Sequence, residues 1–246
     1  VRQSAPFSRD DLDCLDGLLS RASAVVAMED VYEGCAADAI GLRHDVDNVI
    51  EPAVAMAVWE AERGYRSTYY ILDGNGLPDH YWHDKSLLRD SLETIANLGH
   101  EIGYHCNAVA RAIREHRDPA ELVGETLEEL RGYGFEVTGT VAHGDPLCHQ
   151  HGFVNDEVWA QCARSAYGAP CRDVAGVWLA PVSLVDHGLS YDANWLPRAE
   201  YLSDSGGRWS QPFDVFAAGF PYGGQTHLLV HADWWDHAFS TVEAAA

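Results

Sequence analysis

Apolar positions along the chain recur with two periods, and the alternation between those periods sketches the architecture. Residues 9–22 carry Leu12, Leu15, Leu18 and Leu19 at helical spacing behind Ser8, whose hydroxyl suits a helix N-cap, and predict an opening amphipathic helix. Residues 24–28 read as a strand. Residues 40–48, IGLRHDVDN, read as a short buried strand, apolar at Ile40 and Leu42, that runs into His44, Asp45 and Asp47 where it should end. The Ala-rich stretch 52–63, stopped by Gly64, predicts a helix, and the β-branched and aromatic run 67–72 predicts the next strand, a β-α-β signature.

The same alternation continues downstream. A helix is predicted over 84–98, ending at Gly99, followed by a short strand at 101–105. Residues 119–133 predict a helix with Glu121, Glu125, Glu128 and Glu129 on its wet side, 137–141 a strand, and 155–163 a helix capped by Asn155 or Asp156. Beyond Gly176 the pattern is less regular, with Gly- and Trp-containing connections at 203–209 and 220–225, then a last strand at 227–231 and a tail of alanines. Strands alternating with helices of these lengths argue for an α/β fold with a mainly parallel sheet, open or closed into a barrel.

Composition narrows the class. A chain of 246 residues can bury one large core, so a single domain spanning residues 1–246 is expected, and 47% hydrophobic with 22% charged residues is globular composition. Lys and Arg number 16 against 38 Asp and Glu, and the net charge of -22 opposes binding to nucleic acid or to an anionic membrane surface. The expected partner is neutral or small. No apolar run approaches the roughly 18 to 20 residues that cross a bilayer, and the first residues lack a basic start followed by an apolar segment, so a soluble, cytoplasmic chain is expected. Six cysteines without a C-x-x-C pair suit reduced thiols. Cys148, His149 and His151 form a C-H-x-H group, a metal-binding composition on a spacing too tight to complete coordination from one loop.

The chemistry concentrates at predicted strand ends. Asp45 and Asp47 are two residues apart, and two carboxylates in a partly desolvated site need a cation, a proton or a basic neighbour. His105, His143 and His231 each sit at the C-terminal end of a predicted strand, and in parallel β/α architectures those ends share the face where ligands bind.

HDVD at 44–47, the Ala-rich helix running into ERGYRSTYYIL at 62–72, GHEIGYH at 99–105, SYDANW at 190–195 and LLVH at 228–231 together resemble the polysaccharide deacetylase family, in its branch with an HDVD opening. The resemblance covers residues 40–235. It implies a distorted or incomplete (β/α) barrel of about seven mainly parallel strands and removal of an acetyl group from a sugar with one divalent metal ion, most often Zn2+. Residue by residue, it implies Asp45 as general base, Asp47 and His105 as metal ligands, His231 as general acid, and Asp192 with Trp195 as support for that acid. One position departs from the family pattern: four residues after His105, where a second ligand histidine is usual, stands Val109.

His143 is the expected substitute, since it ends the next strand and can point into the same mouth. His100 lies five residues before His105, about 16 Å along a strand and on the opposite face, and reads as structural. His44 should face away from Asp45. Among the aromatic residues Trp195 and Trp234 are expected against a sugar, and Asp204 and Arg208 on the SDSGGRW loop are candidate substrate contacts. The expected function is a metal-dependent N-deacetylase of an amino sugar or glycosylated small molecule. A D-x-D glycosyltransferase and a non-catalytic sugar-binding relative are the alternatives.

Overall fold

The computed structural model describes residues 6–74, 76, 79–162 and 171–240. Ser8 caps α1 (Arg9–Leu19) in a reciprocal capping box with Asp11, and the helix buries the four leucines that the periodicity selects. The strands are β1 (Val25–Val26), β2 (Ile40–Val46), β3 (Thr68–Leu72), β4 (Glu101–Cys106), β5 (Gly139–Ala142), β6 (Arg172–Val174), β7 (Val177–Leu179), β8 (Tyr191–Asp192), β9 (Glu200–Ser203) and β10 (Thr226–Leu229). The main sheet runs β8-β5-β4-β3-β2-β10-β9, with β1 also on β2, while β6 and β7 form a separate antiparallel pair. The fold class is the expected one: seven parallel strands in a curled sheet with helices, a distorted (β/α) barrel. No helix among the described residues is long and apolar enough to cross a membrane.

By contacts the chain divides into two compact units, the first holding the described residues up to Tyr69, Asp90–Glu101 and those from Leu196 onward, the second Tyr70–Arg89 and Ile102–Trp195. In the first, β1 and β10 pair in parallel with β2, and β9 pairs in parallel with β10. Every residue of β2 is buried, as a parallel strand covered on both faces requires. His44 points to the helix side, where its ring nitrogens lie 3.0 Å from the Val230 carbonyl and 2.7 Å from Glu60 on α2 (Glu51–Ala61). Ser67 and Tyr69 donate to the other Glu60 oxygen at 2.7 and 2.9 Å. Burial alone would raise the Glu60 pKa, but the His44 charge and hydrogen bond, aided by His100 and Ser67, outweigh it and hold the carboxyl below its usual range. His44 thus bridges the Val230 carbonyl and the Glu60 carboxyl with its two ring nitrogens. His100 donates to the Ala57 carbonyl at 3.0 Å and accepts from the Ser67 amide at 3.3 Å, a structural placement for that ring.

In the second unit β5 pairs in parallel with β4 and with β8. Two tyrosines set the layer spacing. A Cβ on Gly103 would lie 2.4 Å from the Tyr70 ring, and one on Gly139 2.4 Å from Tyr191. The two hydroxyls meet at 3.3 Å. Buried Asp73 accepts from Tyr104 at 2.9 Å and from Arg111 at 3.0 Å, tying β4 to α3 (Ala108–Glu115).

Some elements differ from the sequence reading. Residues 24–28 are not a full strand: only β1 pairs, and a helix starts at Met28 because the Asp30 carboxylate accepts from the Ala27 amide at 3.1 Å. Instead of a helix over 155–163 there is a 3-10 turn, Asn155–Val158, followed by Trp159 bridging Val182. The Asn155 side chain does not cap; it binds the Ala110 amide, Asn107 and the His143 carbonyl. Ala163 and the alanine tail lie outside the described residues.

Gly103 is therefore a packing requirement. Gly103→Ala is expected to destabilise the protein by about 1–3 kcal/mol, the usual cost of overpacking against an aromatic ring, read from the urea midpoint; an unchanged midpoint would contradict the tyrosine-over-glycine contact.

Candidate active site

Strand alternation sorts the residues of β2 between its faces. With His44 committed to the helix side, Arg43 and Asp45 point to the opposite face, where the Arg43 guanidinium Nε lies 3.7 Å from an Asp45 oxygen. Both side chains are buried. Leu229 on β10 is in register with Arg43, so two residues further His231 comes level with Asp45. Its Nε2 lies 3.8 Å from Asp47.

On its other side His231 is held by Asp204, the residue directly after β9. The Asp204 carboxylate is fully buried and receives the His231 Nδ1–H at 2.7 Å, the His231 amide at 3.0 and 3.1 Å, and the Trp235 indole N–H at 2.9 Å. Burial would lower the His231 pKa; the hydrogen bond and charge of Asp204, reinforced by Asp47 and Asp45, overcome this and raise it to about 9. Beside this pair, Asp233 accepts from the Asn48 amide at 3.1 Å and from the Asn48 side chain at 2.6 Å, fixing the loop that follows Asp47.

In the second unit, β4 and β5 deliver two imidazoles to one point. His105 on β4 has Nδ1 3.1 Å from the Val141 carbonyl, so that nitrogen carries the proton and Nε2 keeps its lone pair. His143 follows β5 directly, and its Nδ1 lies 3.2 Å from His105 Nε2 with the rings nearly perpendicular at 87°. Val109, at the family's second histidine position, is fully buried on α3 and contributes packing.

The remaining expected residues are dispersed. Asp204, expected as a substrate contact, has both of its oxygens engaged within the protein by His231 and Trp235. The carboxylate on His231 is thus Asp204, whereas buried Asp192 accepts from the Asn194 amide at 2.8 Å. Trp195 is half-buried, Arg208 is exposed, and Trp234 is half-buried with its ring 3.4 Å from where a Gly207 Cβ would stand. Cys148 is buried, and its thiol is pushed up to about 11, first by that burial, while His149 and His151 are exposed on α4 (Pro146–His151). A thiol held protonated is a poor metal ligand.

No family model matches the chain, and no curated protein matches it. Among solved structures, the peptidoglycan deacetylase PdaC from Bacillus subtilis is 15% identical with a TM-score of 0.42, covering 83% of this chain and 81% of its own, and a point mutant of it gives the same values. A family 4 carbohydrate esterase from Bacillus anthracis is 14% identical with a TM-score of 0.39, covering 94% of this chain and 82% of its own. Both likenesses are weak.

The raised His231 pKa carries a stability signature in metal-free protein. A folded-state value of about 9 against an ordinary 6.5 means that the pairing stabilises in full below pH 6.5 and is lost as pH rises through about 9. Chelated protein should lose up to about 3 kcal/mol from this group over that window, and Asp204→Asn should lose most of that pH dependence in urea unfolding. Equal slopes for both proteins would show that Asp204 is not the partner that sets it.

Proposed function

We propose that the chain is a metal-dependent carbohydrate N-deacetylase, a hydrolase that removes an N-acetyl group from an amino sugar or a glycosylated small molecule. The observation that carries this reading is the imidazole pair His105 and His143 at the ends of adjacent strands, to which we assign Asp47 as the third ligand. The donor set fits a divalent cation. Bonds of about 2.0–2.1 Å to two nitrogens at a tetrahedral angle put those nitrogens roughly 3.3 Å apart, and the His105 and His143 nitrogens are 3.2 Å apart. Two imidazoles and a carboxylate are a donor set suited to Zn2+, and they leave room for water or substrate.

A cation held there supplies Lewis acidity toward a carbonyl oxygen and acidifies water near neutral pH. The chain's own groups do the proton work. Asp45, turned to the same side of β2 as Arg43 and held beside it, takes the proton of the attacking water as that oxygen adds to the acetyl carbon. His231 gives its Nε2 proton to the sugar nitrogen as the amide C–N bond breaks, so the products are acetate and an amine. Asp204 holds the His231 ring through Nδ1, leaving Nε2 as the proton-bearing atom that faces Asp47, and Trp235 fixes Asp204 in turn.

The substrate reading follows from charge. A chain of net charge -22 repels anionic polymers, nucleic acid and acidic membrane surfaces, and favours a neutral sugar whose product is a cation. Six free cysteines suit a reducing compartment, and we assign the protein to the cytoplasm on that ground.

Metal analysis together with an acetate assay on N-acetylated sugars tests this reading. About one equivalent of zinc-like ion is expected, lost in Asp47→Ala and His105→Ala and weakened in His143→Ala. Asp45→Asn should retain the ion while acetate release falls by about 10²- to 10⁴-fold, the usual worth of a general base. A protein that binds no divalent ion, or an Asp45→Asn variant with full turnover, would remove the proposal.

A further inference from the structure

β2 ends at Val46, so Asp47 stands on the link that leads into α2. On the β10 side the Val230 amide still bonds the Arg43 carbonyl at 3.0 Å, and further on the segments that continue the two strands are tied through a side chain. Asp233 is that side chain. One of its oxygens accepts from the Asn48 amide at 3.1 Å and from the Asn48 side chain at 2.6 Å, and the other accepts from the Val49 amide at 3.4 Å.

Asp233 belongs to the 3-10 turn Ala232–Trp235, in which the Trp234 amide bonds the His231 carbonyl at 3.0 Å. This one turn reaches in two directions. Trp235 holds Asp204 and through it the His231 ring, while Asp233 holds the two residues that follow Asp47. Since α2 has no side-chain cap of its own, an acceptor near its start also has a plain structural use. The kind of acceptor points beyond that use. A neutral amide could accept a bond here, whereas a carboxylate adds a further acid to Asp45 and Asp47, and the charges of Asp47 and Asp233 act on one another. Like charges gathered in a partly desolvated place repel unless a cation offsets them.

We propose that Asp233 is a positioning residue for the cation assigned to Asp47: by holding Asn48 and Val49 it fixes the Asp47 carboxylate relative to His231, acting through the backbone and not as a ligand. The inference rests on the reading of Asp47 as a metal ligand and extends it to a residue outside the ligand set.

Zinc affinity measured by competition with a chromophoric chelator, alongside thermal melting of the chelated protein, tests it. Asp233→Asn should weaken zinc binding by about 10- to 100-fold, the usual worth of a group that orients a metal ligand. Asp233→Glu keeps the charge but moves the carboxylate, and should weaken binding by a similar factor. Asn48→Ala, which removes the side-chain bond and leaves both amides, should weaken it by a smaller one. A role confined to the entry of α2 would lower the melting temperature of the chelated variants and leave zinc affinity unchanged, and that result overturns the proposal. So does an Asp233→Glu protein that binds zinc as tightly as the unsubstituted one. Zinc binding that these substitutions weaken, without acetate release from N-acetylated sugars, would sink the deacetylase reading and leave Asp233 in its role. Acetate release with zinc affinity unchanged in all three variants would do the reverse, and a protein that binds no zinc removes both.

Discussion

A strand buried on both faces cannot carry charge unless each face supplies a partner, and β2 carries three charged or polar residues in succession. Arg43, His44 and Asp45 are all inside the protein. Strand alternation sends His44 backward onto Glu60 and leaves Arg43 and Asp45 together on the other side. The backward pair is part of what allows the forward one. Should His44 turn round, buried Glu60 would lose its 2.7 Å partner, and a buried polar group left short of a hydrogen bond costs about 1–3 kcal/mol. The helix-side network of Glu60, Ser67, Tyr69 and His100 therefore fixes the face on which Asp45 appears.

The same logic of answering a buried charge recurs at Asp204. Four hydrogen-bond contacts from three donors converge on that carboxylate: two from the His231 amide, one from its ring and one from Trp235. Such a carboxylate is held in place rather than free to move, and it sets both the orientation and the protonation of His231. In the second unit a neutral device does similar work, with the tyrosines over Gly103 and Gly139 fixing how closely β3, β4, β5 and β8 pack.

Much of this was legible in the sequence because it depends on local periodicity. The leucines of α1, the glycine stops after the helices and the strand-ending positions of His105, His143 and His231 all follow from spacing along the chain. His44 and His100 could be assigned to structure from the two-residue alternation of a strand alone. Residues whose roles come from distant partners were harder to place. Asp204 sits in a polar Gly-containing loop, which reads as a substrate contact, and nothing in SDSGGRW announces that His231, 27 positions later, will bury it. The helix at Ala108–Glu115 has no counterpart in the sequence reading because it is only 8 residues long and carries no side-chain cap to mark its start. Asn155 looked like a cap and is instead a cross-link between three segments.

The proton on His105 Nδ1 is held by the Val141 carbonyl, a main-chain oxygen. Substituting residue 141 changes the side chain but leaves that acceptor in place, so ordinary sequence drift there cannot switch the tautomer. The lone pair that His105 presents toward His143 is inherited from the strand pairing itself, and only a slip of β5 against β4 would take it away.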